Sequence, residues 1–424
     1  MAREQILSQE DRDWIKRMFA QLAEIGKTGH GYERVAYTPN DWQAKQLIRD
    51  AMEQAGLVVH MDAAGNLIGR LEGRRPELPA IVTGSHIDTV PSGGNFDGSV
   101  GVIGSLCAIR RILREGRPLR SMELWVFAGH ESSRFGFAHL GSRSICGFTE
   151  TEKWSKLVDR YGKTIPEVFR ECGLDFSQLA SCERDFSQLA SFTELHIEQG
   201  PVLEQHHTPI GIVTDIAAPI RLSVQVKGMA AHSGTTPMDN RHDALAAAAR
   251  MVLSVRERAR SYAEEGIVGT VGYMQVKPNA MNIIPGEVEF WIDVRGRDFS
   301  RTSHVIDLVR ADLLSIAREE KINVSIDTIS VTKPVHLNDH LIQLAARICE
   351  ENHIPYLNMV GGGGHDTQEI ARRMPAVVLH IPCRNGVSHA PDEFTSLESI
   401  YYGVKALTAL LACQAKAVSI DGLA

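Results

Sequence analysis

The chain has 424 residues, too many for one small core, so two domains are the natural expectation. Its 43% hydrophobic and 23% charged content is that of an ordinary globular protein, and a net charge of -7 excludes the basic surface on which nucleic-acid binding depends. The charged start MAREQILSQEDRDWIKRMF has no signal-peptide core, no apolar run approaches the ~18 residues of a membrane span, and the seven scattered cysteines lack a C-x-x-C pair, so a cytoplasmic protein is expected.

In chain order, helices are predicted over 9–26 and 40–55, the second entered through TPND with Asn40 or Asp41 as its cap. LVVHMDAAGNLIGRLEG reads as strands around an AAGN turn. AIVTGSHIDTV is an apolar strand running into a polar loop, SVGVIGSLCAIRRILREG a helix, and MELWVFAGH another buried strand. Apolar strands alternating with helices predict a mostly parallel sheet with helices on both faces. DFSQLAS stands at 175–181 and again at 185–191, a duplication too short for a solenoid and read as a surface loop or helix without catalytic content. The rhythm then changes to strand, Ala-rich helix, two strands, helix and strand, from IRLSVQVKG to INVSIDTISV, which is the βαββαβ order of a ferredoxin-like unit. The expected fold class is α/β: one domain formed by 1–215 and 331–424, resuming with HLIQLAARICEENH, AVVLHIP and a helix over 396–413, and an inserted α+β domain over 216–330.

Polar residues gather where the apolar strands end, the place where α/β folds build sites. GSHIDTVPSGGNFDG (84–98) supplies His86, Asp88 and Asp97; imidazole and carboxylate are the usual zinc ligands, but Asp, Asn and Gly are also turn residues. FAGHESSRF (127–135) sets His130 beside Glu131, ELHIEQGPVLE (194–204) offers His196, Glu198 and Gln199, and GVSHAPDEF (386–394) offers His389. A lone histidine in such a loop is more often structural. Four such clusters in one domain point to a metal centre in which a carboxylate bridges two ions. GGGGHDT (361–367) precedes no G-K-[ST] and is no P-loop.

These stretches, with GMAAHSGTTPMDNRHDA and NIIPGEVEFWIDVR, resemble the carbamoylase branch of the dinuclear-zinc peptidase and deacylase superfamily, in order from about residue 15 to 412. That branch contains N-carbamoyl-L-amino-acid hydrolases, β-ureidopropionases and allantoate amidohydrolases. The resemblance implies two divalent ions per subunit (zinc, manganese or cobalt), one held by His86, Asp97 and His196, the other by Asp97, Glu131 and His389. Asp88 would orient His86, and Gln199 and His365 would face the substrate, with Asp366 near it. His232 and Asn282 would stabilise the oxyanion and Arg295 would grip a substrate carboxylate, these three reaching across a homodimer from an insert that acts as lid and dimerisation domain. A small carboxylate-bearing substrate is implied, and neither nucleic acid nor membrane.

The chain departs from this family where it reads His-Glu-Ser-Ser-Arg-Phe (130–135) against Glu-Glu-Gly-x-Arg-Phe: His130 stands where the family has the Glu that serves as general base. Three readings follow. Neutral imidazole shuttles the proton, weakened as a base by nearby cations; or His130 binds metal and Glu131 becomes the base; or the protein keeps the metal and binds without turnover. The expected activity is hydrolysis of a linear amide or ureide, foremost an N-carbamoyl-L-amino acid, with allantoate or N-carbamoyl-β-alanine beside it. An aminoacylase or dipeptidase on the same scaffold is the alternative.

Overall fold

The computed structural model describes residues 7–418, which divide into two compact units, 7–214 with 336–418 and Asp215–Val335. The larger unit is built on a nine-stranded sheet. Its centre is four parallel strands in the order Ala376–Ile381, Leu189–Ile197, Ala80–His86 and Met122–Phe127. Three of these are buried at every residue, and the fourth, Leu189–Ile197, at all but one, so no inward–outward alternation exists to read. The margins are antiparallel: Leu67–Leu71 and Val58–Met61 on one side, Ile210–Ile216 on the other. Helices Ser99–Glu115 and Leu397–Lys416 pack against each other and against the central strands. Leu106, Ile109, Leu407 and Leu410 among them are fully buried, each stabilising by roughly 1.5–3 kcal/mol. Among the described residues no helix is long and apolar enough to cross a membrane.

Three local expectations need correction. The helix Pro39–Gln54 is capped by Thr38, not by Asn40 or Asp41: the Thr38 side chain accepts from the Asp41 amide and Pro39 takes the first helical position, where its missing N–H costs nothing. Asp41 is spent elsewhere, on Lys45 and on the Tyr37 amide. The DFSQLAS copies begin alike, Asp175 and Asp185 each accepting from the amide and hydroxyl of the serine two residues on, but they end differently. The first copy continues as the 3-10 helix Phe176–Cys182, whereas residues 189–191 of the second open the strand Leu189–Ile197 that carries His196. Tyr356–Gly361, a half-buried strand with no clear pattern, pairs with Ile210–Ile216 and was not anticipated.

The smaller unit is a four-stranded antiparallel sheet in the order Val268–Lys277, Glu287–Gly296, Ala218–Lys227, Asn323–Val331. With helices Ala244–Ser261 and Phe299–Glu319 it has the ferredoxin-like order. Its strands alternate, and the inward set (Leu222, Val224, Val226, Phe290, Ile292) meets Met251, Val255, Val305 and Val309 from the helices.

Candidate metal centre

The strand Ala80–His86 ends on a buried histidine, and the loop after it returns past Asp97 before the helix Ser99–Glu115 begins. Two glycines permit this return. Gly98 has φ +65°, and a Cβ there would lie 2.4 Å from His86 Nε2. A Cβ at Gly94 would lie 2.1 Å from Glu393 Oε1. The neighbouring strand delivers His196, whose Nε2 is 3.1 Å from Asp97 Oδ1 and 3.5 Å from His86 Nε2; His86 Nε2 is itself 3.6 Å from Asp97 Oδ1. On the other side of the carboxylate, His389 Nε2 is 3.0 Å from Asp97 Oδ2 and 3.2 Å from Glu131 Oε1. Asp97 therefore lies between two groups of ligand atoms, His86–Asp97–His196 and Asp97–Glu131–His389, each close enough to share one ion.

Two buried oxygens decide whether cations fit. Asp97 Oδ1 and Glu131 Oε1 are buried and lie 3.1 Å from His196 Nε2 and 3.2 Å from His389 Nε2 without a well-aligned hydrogen bond, so each faces an imidazole nitrogen as the ligands of a shared cation do. A third group, Glu194–His196–His365, differs. Both Glu194 oxygens are already satisfied, Oε1 by the Ser85 hydroxyl at 2.7 Å and Oε2 by the hydroxyl and amide of Thr367, so this carboxylate serves the fold. The Asp97 and Glu131 carboxylates favour positive charge on the imidazoles. Burial opposes charge on His86, but Asp97, Asp88 and Glu131 outweigh it and raise its pKa to about 10; hydrogen bonds to Asp97 and Glu131 raise that of His389 to about 11. Burial likewise opposes charge on Asp97, and the three imidazoles overcome it, holding the carboxyl well below its usual range.

The surrounding residues differ in part from expectation. His86 Nδ1 meets the backbone carbonyl of Asp88 at 3.0 Å, while the Asp88 carboxylate, 3.7 Å away, accepts instead from the amides of His130 and Glu131. Asp88 thus stands beside His86 as expected and also sets the turn that carries Glu131. Gln199, expected at the substrate, donates to Asp97 Oδ2 at 2.9 Å. His365, also expected there, is buried: its ring meets His196 edge-on at 4.6 Å and its Nε2 lies 3.1 Å from that of His380. Asp366 is buried as well, with His130 Nδ1 at 2.8 Å. In the smaller unit the pairing of Ala231–His232 with Ile283–Ile284 sets His232 across from Ile283, next to Asn282, and Arg295 is held by Asp293 at 2.8 Å.

His130 stacks on His86 with ring centroids 3.6 Å apart and planes parallel. Burial, and then the charge of His86, lower its pKa to about 4 against the opposing pull of Asp366. Backbone strain gathers here too: Gln199, His389 and His139 are non-glycine residues with φ of 59°, 56° and 62°, each costing about 1–3 kcal/mol that the surroundings must outweigh. Glu393 went unnoticed in the sequence. One oxygen accepts from the amides of Phe96 and Asp97 and the other from Ser388, so it ties the Asp97 loop to the His389 loop. Its place in the same motif as His389 was the available signal.

Residues 82–412 match the model of peptidase family M20/M25/M40. The chain is 38% identical to a ureidoglycolate hydrolase of Arabidopsis thaliana, across 89% of this chain and 81% of that one. It is 35% identical to an N-carbamoyl-L-amino-acid amidohydrolase of Paenarthrobacter aurescens (94% and 97%) and 34% identical to the allantoate amidohydrolase of Escherichia coli (94% and 97%). Among solved structures, a hydantoinase/carbamoylase family amidase from Burkholderia multivorans superposes with a TM-score of 0.85 at 32% identity, covering 96% of this chain and 98% of that one.

Proposed function

The chain belongs to peptidase family M20/M25/M40, a metal-dependent family, and from that premise we propose that it hydrolyses N-carbamoyl-L-amino acids at a centre of two divalent ions. The wider class is amidohydrolysis of ureido or carbamoyl compounds, as in the relatives named above. The observation that carries the reading is the buried Asp97 carboxylate, one oxygen facing His86 and His196 and the other facing His389, between two groups of metal-ligating atoms.

Ions held there, by His86, Asp97 and His196 and by Asp97, Glu131 and His389, would polarise the substrate carbonyl and acidify a bound water. The chain's own residues do the rest. His130 accepts the water's proton at Nε2, the ring nitrogen not engaged by Asp366, and returns it to the leaving nitrogen. His232 and Asn282 donate to the oxygen that gains charge, the kind of stabilisation that is often the largest catalytic contribution. Arg295, kept in one orientation by Asp293, offers its guanidinium fork to the substrate carboxylate. We place these three in the partner's site within a homodimer. Products are the amino acid, ammonia and carbon dioxide.

Ammonia release by protein loaded with manganese, zinc or cobalt tests this, on N-carbamoyl-L-amino acids, N-carbamoyl-β-alanine and allantoate, with metal-free controls. Metal-dependent release from the first class is the expected result. Release from allantoate alone would move the substrate assignment, and cleavage of acyl amides without ammonia would replace it with an aminoacylase.

A further inference from the structure

We propose that Asp366 is the positioning residue for His130: it fixes the imidazole as the tautomer with hydrogen on Nδ1 and a bare lone pair on Nε2. The inference rests on the reading of His130 as proton shuttle, and it assigns to the loop after the glycine run a task that the sequence did not suggest.

Three contacts carry it. Asp366 Oδ2 lies 2.8 Å from His130 Nδ1, with both groups buried. The other oxygen, Oδ1, accepts the Ser142 hydroxyl at 2.5 Å, so the carboxylate is held from its far side by the helix Leu140–Ile145. The parallel stack on His86 fixes the plane of the ring. The ring therefore has neither rotation nor tilt left to choose its tautomer, and the choice falls to the partner at Nδ1. One Asp366 oxygen accepts the Ser142 hydroxyl and the other faces His130 Nδ1, and an ionised carboxylate is an acceptor only. An acceptor-only partner at hydrogen-bond distance requires N–H on Nδ1. Nε2 makes no hydrogen bond within the described residues and keeps its lone pair.

The proton balance then closes around His130. As the water oxygen bonds to the carbonyl carbon, its proton passes to Nε2. The imidazolium so formed has both N–H groups occupied, Nδ1 toward Asp366 and Nε2 toward the reacting atoms. When the C–N bond breaks, the Nε2 proton leaves with the nitrogen and the ring returns to its starting tautomer. Asp366 stays ionised throughout and touches no reacting atom. A glutamate base would need no such partner, since its two oxygens are equivalent; a histidine does, because its two nitrogens are not.

Nitrogen-15 spectra of histidine-labelled protein read the tautomer directly, in the diamagnetic zinc form and again without metal, with His130 assigned by its absence in His130→Gln. We expect a protonated Nδ1 and a bare Nε2 in the native chain. In Asp366→Ala that pattern should mix or invert, with kcat on the zinc form falling about a hundredfold or more while KM and bound zinc stay near native. Hydrogen on Nε2 of the native protein overturns the proposal, even where Asp366→Ala does not fold, and so does an unchanged tautomer in that variant. The spectra need no turnover. A protein inactive on every carbamoyl substrate, with the expected tautomer, would leave the Asp366 contact standing and remove the proposed function instead.

Discussion

In the proposed mechanism the chemistry turns on His130, which stands where the family has its general-base Glu with a side chain of different charge and geometry. As a neutral imidazole with a pKa near 4 it is a weak base in the absence of metal, yet its Nε2 is the only ring nitrogen left to accept a proton. We expect His130→Ala to lower kcat for ammonia release by roughly 10²–10⁴-fold, the usual worth of a positioned acid–base group, with bound metal unchanged. Turnover equal to the native enzyme's would remove His130 from the mechanism. The sequence made the polar strand ends legible, since apolar runs such as AIVTGSH and MELWVFAG stop at His86 and just before His130. It did not contain the partner choices. Whether Asp88 meets a ring nitrogen or an amide, and whether Asp366 faces solvent or His130, depends on differences of an ångström set by packing.

At the scale of elements, two loops and a strand carry the testable physics. Glu393 joins the Asp97 loop to the His389 loop through three hydrogen bonds, so both halves of the centre depend on one carboxylate that has no place among the proposed ligands. Glu393→Ala leaves two loop amides without their acceptor, and metal affinity in a competition titration should fall about 10–100-fold; native affinity would show that the loops hold themselves. The strand Ala376–Ile381 carries His380, which burial and then the charge of His196 push down to about 3. Unfolded, the same group titrates near the ordinary imidazole value, so between about pH 3 and 6.5 the unfolded chain binds more protons. Stability is complete above that window and falls with pH through it, by at most about 1.4 kcal/mol per pH unit from this one group. His380→Leu should flatten the acid limb by that slope in urea melts of metal-free protein, and parallel limbs would assign the proton uptake to other groups. Element types were readable from period and punctuation, whereas the weak strand Tyr356–Gly361 and the two fates of DFSQLAS were not. In both, tertiary pairing overrode local pattern.

At the scale of the molecule, the order of elements predicted a βαββαβ insert within an α/β frame, and the four-stranded sheet has that topology. What chain order does not contain is how one unit's residues meet another's. The metal cluster belongs entirely to the unit of 7–214 and 336–418, and His232, Asn282 and Arg295 entirely to Asp215–Val335. The proposal that these halves complete each other across a homodimer has a sharp consequence. His389→Ala removes a proposed ligand while keeping Arg295; Arg295→Ala keeps the cluster while losing the carboxylate clamp. Each variant alone should be nearly inactive. If sites are shared between subunits, unfolding and refolding a one-to-one mixture creates heterodimers in which one site joins an intact cluster to an intact Arg295. Activity should then return to about a quarter of the native level, half the dimers being mixed and half of their sites whole. If each chain completes its own site, every site in the mixture lacks one group and activity stays at that of the separate variants. A subunit mixture that remains inactive, although a tag-pulldown shows heterodimers, would place Arg295 in the site of its own chain.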